Sequence, residues 1–401
     1  MDATDQVFGV NPLRQQLREL AREFADRVIR PRAEELDKQP TAVEAWSWEM
    51  VEEANKAGLT RLLLDPKWGG AGVDGLTMTV VVEEIAKGDG GFVVTLATTN
   101  MFYLALQAAC TEEQKARIIP MLVADPRTVI SMALTEPDHG SDNNLPYVAP
   151  DVTLQTTAAR VEGGWVINGL KHYITNGNRA RLYLIFAQTD KTVPAFHGST
   201  WFMIEPGTEG FTIGRVHEKM GSRLSNNAEL IFKDCFVPDE NVLGGLNQAG
   251  ILFQPTFKLV NILVAAMMVG LGTEAYERSL AFAQQRVQGG KPIIEHDTVA
   301  VRLAEMRMKL DAARAYTYHA AVLSDHPELG WDPVMASFPK IVASRAAREV
   351  VAEALDIHGG IGYMKEAGLE KLYRDAACFI HEGGTDSMFI LKAANAIRAA
   401  L

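Results

Sequence analysis

Thr135-Glu136-Pro137-Asp138-His139-Gly140-Ser141-Asp142 follows the alternating run at 129–134, and the chain changes its periodicity at this point. Before it, to about residue 127, apolar residues recur at spacings of three and four. Leu13, Leu17, Leu20, Phe24 and Val28 make one stripe on a helix, with Asn11-Pro12 as cap and first-turn proline and Pro31 as a kink or stop. Further helices are expected at 46–57, 76–86 and 112–121, the last capped by Thr111. After it, from about 128 to 240, the period is two. Candidate strands are 129–134, 152–161, 165–167, 182–188, 200–205 and 229–232, divided by turn signals such as Glu162-Gly163-Gly164, Asn168-Gly169 and Asn176-Gly177. From 241 onward helical spacing returns, with Val299, Leu303, Met306, Leu310, Ala313 and Thr317 on one face. Gly270, Gly272, Gly289 and Gly290 mark close helix approaches or turns. Helices, then strands without βαβ crossovers, then helices predict an α+β fold of three domains, 1–127, 128–240 and 241–401.

A chain of 401 residues is long enough for two or three cores. Its net charge of −11 argues against a nucleic-acid partner but leaves room for a local basic patch that holds a phosphorylated ligand. The three cysteines, Cys110, Cys235 and Cys378, are widely spaced and odd in number, which predicts no disulfide framework and a reducing, cytoplasmic setting. The start MDATDQVFG lacks a signal-peptide pattern, and the longest apolar stretch, 262–271, is too short to span a bilayer. The histidines show no HxxxH or HExxH spacing, so no metal site is expected.

Several segments carry candidate chemistry. Hydroxyls and a glycine just past a strand, as in 135–142, can face a flat polar heterocycle or a phosphate, or close an ordinary turn. In Lys171-His172-Tyr173-Ile174-Thr175-Asn176-Gly177, alternation puts an aromatic and a hydroxyl on one face, suited to a ring system or simply to a hairpin. Gly70-Ala71-Gly72-Val73-Asp74-Gly75 matches GxGxxG, but a helical segment precedes it and a surface loop is the better reading. The glycine turns with an arginine at 286–291, and at 356–362, suit either pyrophosphate or helix C-caps. Near the end, Glu382 stands beside glycines after an apolar stretch, as a base of raised pKa or a solvated loop acid.

Taken in order, these motifs resemble the acyl-CoA dehydrogenase family over essentially the whole chain. The family's P-x-x-x-GG-x-G loop is similar to 66–72, its TEPxxGSD signature to 135–142 and its K-x-x-IT-NG strand to 171–177. The M-G-x-R segment with F-x-D-x-x-V-P matches 220–223 and 232–238, and the later R-x-x-x-G-K, EHQ-like and GG-x-G elements match 286–291, 295–297 and 359–362. The resemblance implies an N-terminal helical domain, a middle β-barrel-like or sandwich domain and a C-terminal four-helix bundle. FAD would lie between the last two, completed by a neighbouring subunit in a homo-oligomer, tetramer or dimer. By matched motif, Met132, Leu134, Thr135, Tyr173, Ile174 and Thr175 would contact the isoalloxazine. Arg286, Gln288, Asp356, Gly359 and Gly360 would hold the adenine and pyrophosphate end of a partner's FAD, and Thr385 and Ser387 the cofactor near the active centre. Ser141 would lie near both cofactor and thioester arm, with Phe257, Asn261 and Gly383 beside the acyl-CoA substrate. The implied reaction is α,β-dehydrogenation, with electrons leaving to an electron-transfer flavoprotein or similar acceptor.

The base departs from the family pattern of Y-E-G-T. Counting ungapped from Arg374-Asp375, Gly383 falls where the glutamate belongs and Glu382 falls one position early. In a second subgroup the base sits on an earlier helix, where this chain has Val260, with Asn261 and Lys258 at neighbouring motif positions. Three readings stay open: Glu382 brought into place by a shifted loop, which is the favoured one; another acid such as Asp89 or Glu366; or a member that no longer performs ordinary dehydrogenation. The last covers a flavin-dependent lyase, an enoyl-CoA reductase and a non-catalytic flavin or CoA binder.

Overall fold

The computed structural model describes residues 8–144 and 152–399. Asn11 caps α1 (Pro12–Phe24), its side chain accepting from the Arg14 N–H at 3.1 Å. A π-turn, Ala25–Ile29, carries the chain into α2 (Arg30–Asp37), so Pro31 falls in a first turn, where no N–H is required, and redirects the helix instead of ending it. α3 (Trp48–Lys56) and α4 (Gly75–Ala86) follow. The 70–72 glycines form a tight loop, with the Gly72 N–H on the Leu64 carbonyl at 2.9 Å. Thr111 and Gln114 cap α6 (Glu112–Ala124) reciprocally.

Between α4 and α6 lies α5 (Gly90–Ala109), a helix that the spacing rules do not give. It is apolar on nearly every side and rich in β-branched residues, so it shows no amphipathic period. Asp89 starts it, accepting from the N–H groups of Gly91 (2.8 Å) and Phe92 (2.6 Å).

The middle segment is one twisted sheet built from β1 (Ile130–Ala133), β2 (Thr157–Val161), β3 (Gly164–Thr175), β4 (Leu182–Gln188), β5 (Ser199–Ile204), β6 (Phe211–Val216), β7 (Asn227–Pro238) and β8 (Val242–Leu243). The order is β6-β7-β3-β2-β4-β5-β8, with β1 added parallel to β4. Parallel pairing of β1 and β2 with β4 makes the sheet mixed, although no βαβ unit is present among the described residues. Asn168-Gly169 is a bulge inside β3 and not a turn: the register slips there, and Asn168 Oδ1 accepts from the Asp234 N–H at 2.8 Å. β6 escapes the alternation rule because only Phe211 of its six residues is buried.

The last segment holds α7 (Ala249–Gln285), α8 (Asp297–Asp325), α9 (Phe338–His358), α10 (Leu369–Cys378) and α11 (Asp386–Ala399). α7 is the central helix, its 262–271 run buried all round. Gly270 lets it touch α4: a Cβ there would stand 2.2 Å from the Glu83 carbonyl oxygen. Among the described residues, two helical stretches are long and apolar enough to cross a membrane, Gly90–Ala109 and Lys258–Gln285, and 67% and 89% of their apolar windows are buried within this fold.

Candidate active site

Two signatures from distant parts of the sequence meet at the end of β1. The Thr135 hydroxyl donates to the His172 carbonyl while the His172 N–H donates to the Thr135 carbonyl at 2.9 Å. One residue on, Glu136 and Lys171 form a fully buried ion pair at 2.8 Å, and Glu136 also accepts from the N–H groups of Gln155 (2.7 Å) and Thr156 (3.0 Å). Burial works against both charges. It brings Lys171 down to about 8, whereas for Glu136 the lysine and the two amides outweigh burial and hold the carboxyl below its ordinary range. The pair is structural: it fixes the strand ends on which Thr135, Tyr173 and Thr175 stand.

Those three side chains line a cavity of about 890 Å³. Tyr173 sits at a register slip of β3 with φ +61°, a left-handed conformation that costs a non-glycine residue roughly 1–3 kcal/mol. Asn227, which the sequence did not single out, braces this strain. Its amide donates to the Tyr173 carbonyl (2.9 Å) and the Thr175 hydroxyl (3.2 Å), while its Oδ1 accepts from Lys219 Nζ at 2.7 Å. Lys219 and Arg215 give the cavity a cationic wall. His217 Nε2 and Ser225 Oγ on the same wall are buried without a hydrogen-bond partner. A large cavity with a strained aromatic, cations and unpaired polar atoms fits a flat, polar, anionic cofactor such as FAD.

His172, His217 and Glu229 also offer atoms within 4.8 Å of one another, a grouping hidden from spacing rules because each stands on a different segment. Arg215, 3.4 Å from Glu229, already supplies that carboxylate with a cation.

A second cavity, about 190 Å³ and almost wholly apolar, adjoins the first. Met132 of β1 and Leu134 just past its end face it, as do one side of α5 and Val260, Leu263, Val264 and Met267 of α7. Val94, Thr175, Glu382 and Gly383 line both cavities. Glu382 therefore stands where they meet. It keeps some accessible surface because it borders open space, yet protein crowds it enough for burial to push its carboxyl above the ordinary range; Lys219 and Lys340 pull it back only in part.

The loop that carries Glu382 is held from α9. Lys340 has no exposed surface, and its Nζ donates to the carbonyls of Ile380 (3.2 Å) and Gly384 (2.9 Å) and to Asp386 Oδ1 (2.9 Å). Gly383 and Gly384 take φ values of +69° and +123°, so the chain bends sharply just after the glutamate. The shifted-loop reading thus has a geometric basis. The other acids named from the sequence lie elsewhere. Asp89 caps α5 and pairs with Lys371, which also bonds Asp375 at 2.5 Å, and Glu366 is exposed. Asp375 in turn accepts from the Ser222 N–H at 2.6 Å, tying the 219–225 loop to α10.

The remaining expected contacts are distributed unevenly. Ile174 packs its side chain into the core of the sheet and lines neither cavity. Ser141 opens a short 3₁₀ turn and lines neither cavity. Asn261 is buried with Oδ1 unpaired, and a Cβ on Gly383 would lie 3.0 Å from that oxygen. The side chain of Phe257 lies outside the described residues. Thr385 accepts from the Met388 N–H at 3.3 Å, and Ser387 is exposed. Arg286, Gln288, Asp356, Gly359 and Gly360 are all exposed. They gather at one end of the bundle, where Phe282 of α7 stacks on His358 of α9 at 4.2 Å.

A polar, cation-lined cavity meeting an apolar one at a single carboxylate defines an enzyme site for two ligands, a flat anionic cofactor and a partner with an apolar tail. Three family models together match most of the chain: the acyl-CoA dehydrogenase N-terminal domain at 11–125, the middle domain at 131–235 and the C-terminal domain at 252–397. The chain is 34% identical over 382 residues to the short-chain-specific acyl-CoA dehydrogenase of Megasphaera elsdenii, covering 94% of this chain and 96% of that one. Its fold matches the structure of butyryl-CoA dehydrogenase from the same organism with a TM-score of 0.89 at 32% identity, over 99% of this chain and 100% of that one. A chain in a structure of the electron transferring flavoprotein of Acidaminococcus fermentans matches with a TM-score of 0.89 at 32% identity, over 99% of both. The protein belongs to the acyl-CoA dehydrogenase family, FAD-dependent oxidoreductases that act on the CH–CH bond of acyl-CoA thioesters.

Proposed function

We propose that this protein converts an acyl-CoA thioester to the 2-enoyl-CoA with Glu382 as the base that removes the α-proton. The observation that carries the assignment is the place of Glu382 at the junction of the two cavities, on a loop held by Lys340. A carboxylate of raised pKa is a stronger base than a solvated one and is better matched to a weakly acidic α-carbon. FAD bound in the larger cavity supplies the acceptor for the β-hydride. Thr135, Tyr173 and Thr175 would orient its ring system, and Lys219 and Arg215 would offset its negative charge. The apolar walls exclude water, so the proton passes to Glu382 without competition from solvent.

The exposed group of Arg286, Gln288, Asp356, Gly359 and Gly360 would hold the adenine and pyrophosphate of the FAD of a second copy, which makes the working form a homodimer or homotetramer. An electron-transfer flavoprotein would take the electrons. A cytoplasmic setting suits three cysteines that are all free thiols. The reading is tested by anaerobic titration of the yellow holoprotein with a panel of acyl-CoAs. Bleaching by at least one, lost in Glu382→Gln, supports it; binding of thioesters without bleaching refutes it.

A further inference from the structure

The smaller cavity is specific about what can enter it. On α5, Val94, Ala97, Thr98, Met101 and Phe102 turn one face to it over roughly 12 Å, about eight rises of 1.5 Å. Glu382 is the one ionisable side chain among its described lining residues, and the Thr98 hydroxyl is returned to its own helix at the Val94 carbonyl. A charged or strongly polar group on a ligand's tail would enter without a partner and lose its hydration.

Size sets a second limit. An apolar cavity of about 150 Å³ stays dry and takes up a benzene-sized guest, so the volume here admits a hydrocarbon of about six carbons or slightly more. The cavity is about 190 Å³. Met132 closes one side. The same side chain also lines a void of about 20 Å³ beyond it, bordered by Ala105 and Ala109, which continue the α5 stripe at steps of four. Room for a longer tail therefore exists along α5, and a flexible methionine stands in the way.

We propose that this chain selects an uncharged hydrocarbon acyl group whose buried part is about six carbons, and that Met132 sets the upper limit. The proposal rests on the acyl-CoA reading of the site but can fail separately from it. Affinity is measured by calorimetry on FAD-loaded Glu382→Gln protein, which leaves proton removal out of the readout, for butanoyl- through dodecanoyl-CoA and for glutaryl-CoA. Affinity should rise about fourfold per added methylene up to hexanoyl or octanoyl and then stop rising or fall. Glutaryl-CoA should bind at least roughly tenfold more weakly than pentanoyl-CoA, because its carboxylate meets no cation. Adding Met132→Ala should move the break at least two carbons longer. Ala97→Leu, which fills the pocket from α5, should move it shorter, and flavin absorbance checks that each variant keeps its cofactor. A break unmoved in both variants, a steady gain to dodecanoyl-CoA, or glutaryl-CoA bound as well as pentanoyl-CoA overturns the proposal. Binding of no thioester overturns it together with the parent reading. Wild-type protein that shows the predicted break without bleaching overturns the catalytic reading alone.

Discussion

Lys340 is the residue on which the placement of Glu382 depends. Its three bonds go to two carbonyls of the loop and to Asp386 at the start of α11, so removing the ammonium frees two carbonyls and leaves two positive-φ glycines as a hinge. Burial pulls the lysine's own pKa down, with Asp386 and Glu382 pulling it back up. Charged hydrogen bonds of this kind contribute about 1.5–3 kcal/mol each, so Lys340→Met should lower kcat by roughly tenfold to a hundredfold. The pH profile separates positioning from a general loss of structure. A base at Glu382 must be deprotonated to act and the carboxyl's pKa is raised, so on the proposed reading the rate should climb with pH through a value above the ordinary carboxylate range. Lys340 holds that pKa partly down, and without it the acid limb should move to higher pH. An unmoved limb with a lower rate would reduce Lys340 to a packing residue. The part played by Lys340 was not legible in the sequence, where it is one lysine at the start of a helix; Glu382 was favoured there through a shifted loop, although it falls one place off the family count. The ungapped count takes the chain between Arg374 and Thr385 as unbent, whereas two positive-φ glycines bend it, and their φ values only the fold reveals.

At the scale of elements, the sequence was most readable where period and caps agree: α1 with Asn11, α6 with Thr111 and the β4 run all fall close to their expected bounds. α5 was unreadable because a helix buried on nearly every side has no polar face to mark its period, and it supplies one wall of the apolar cavity. Asn227 was missed because bracing a strained tyrosine on the neighbouring strand is a tertiary task. Gly270 and Gly272 were read as close helix approaches or turns, and at Gly270 the approach is to backbone. Gly270→Ala should therefore push α7 off α4 and destabilise the protein by about 1–3 kcal/mol, measured as a lower denaturation midpoint at unchanged slope. A change under half a kcal/mol would mean that α4 yields easily.

For the whole molecule, the end of the bundle that carries Arg286, Gln288, Gly359 and Gly360 also exposes Val287 (59%), Ile361 (54%) and Tyr363 (81%). Apolar side chains beside an arginine suit a contact between copies that also meets a cofactor's phosphates. Arg286→Glu should lower the ratio of FAD to protein in the purified oligomer, read by absorbance, while the far-ultraviolet dichroism stays unchanged. Full occupancy in that variant would remove Arg286 from the cofactor site.

The central claim is that a misplaced-looking glutamate is the working base of an acyl-CoA dehydrogenase. Its most direct test is the flavin spectrum of the holoprotein under anaerobic conditions during titration with hexanoyl-CoA, for wild type and Glu382→Gln side by side. The account predicts that the wild type bleaches and that Glu382→Gln binds the thioester but stays yellow, its reduction slowed at least roughly a thousandfold. Bleaching at equal rates in both would contradict it and place the base elsewhere.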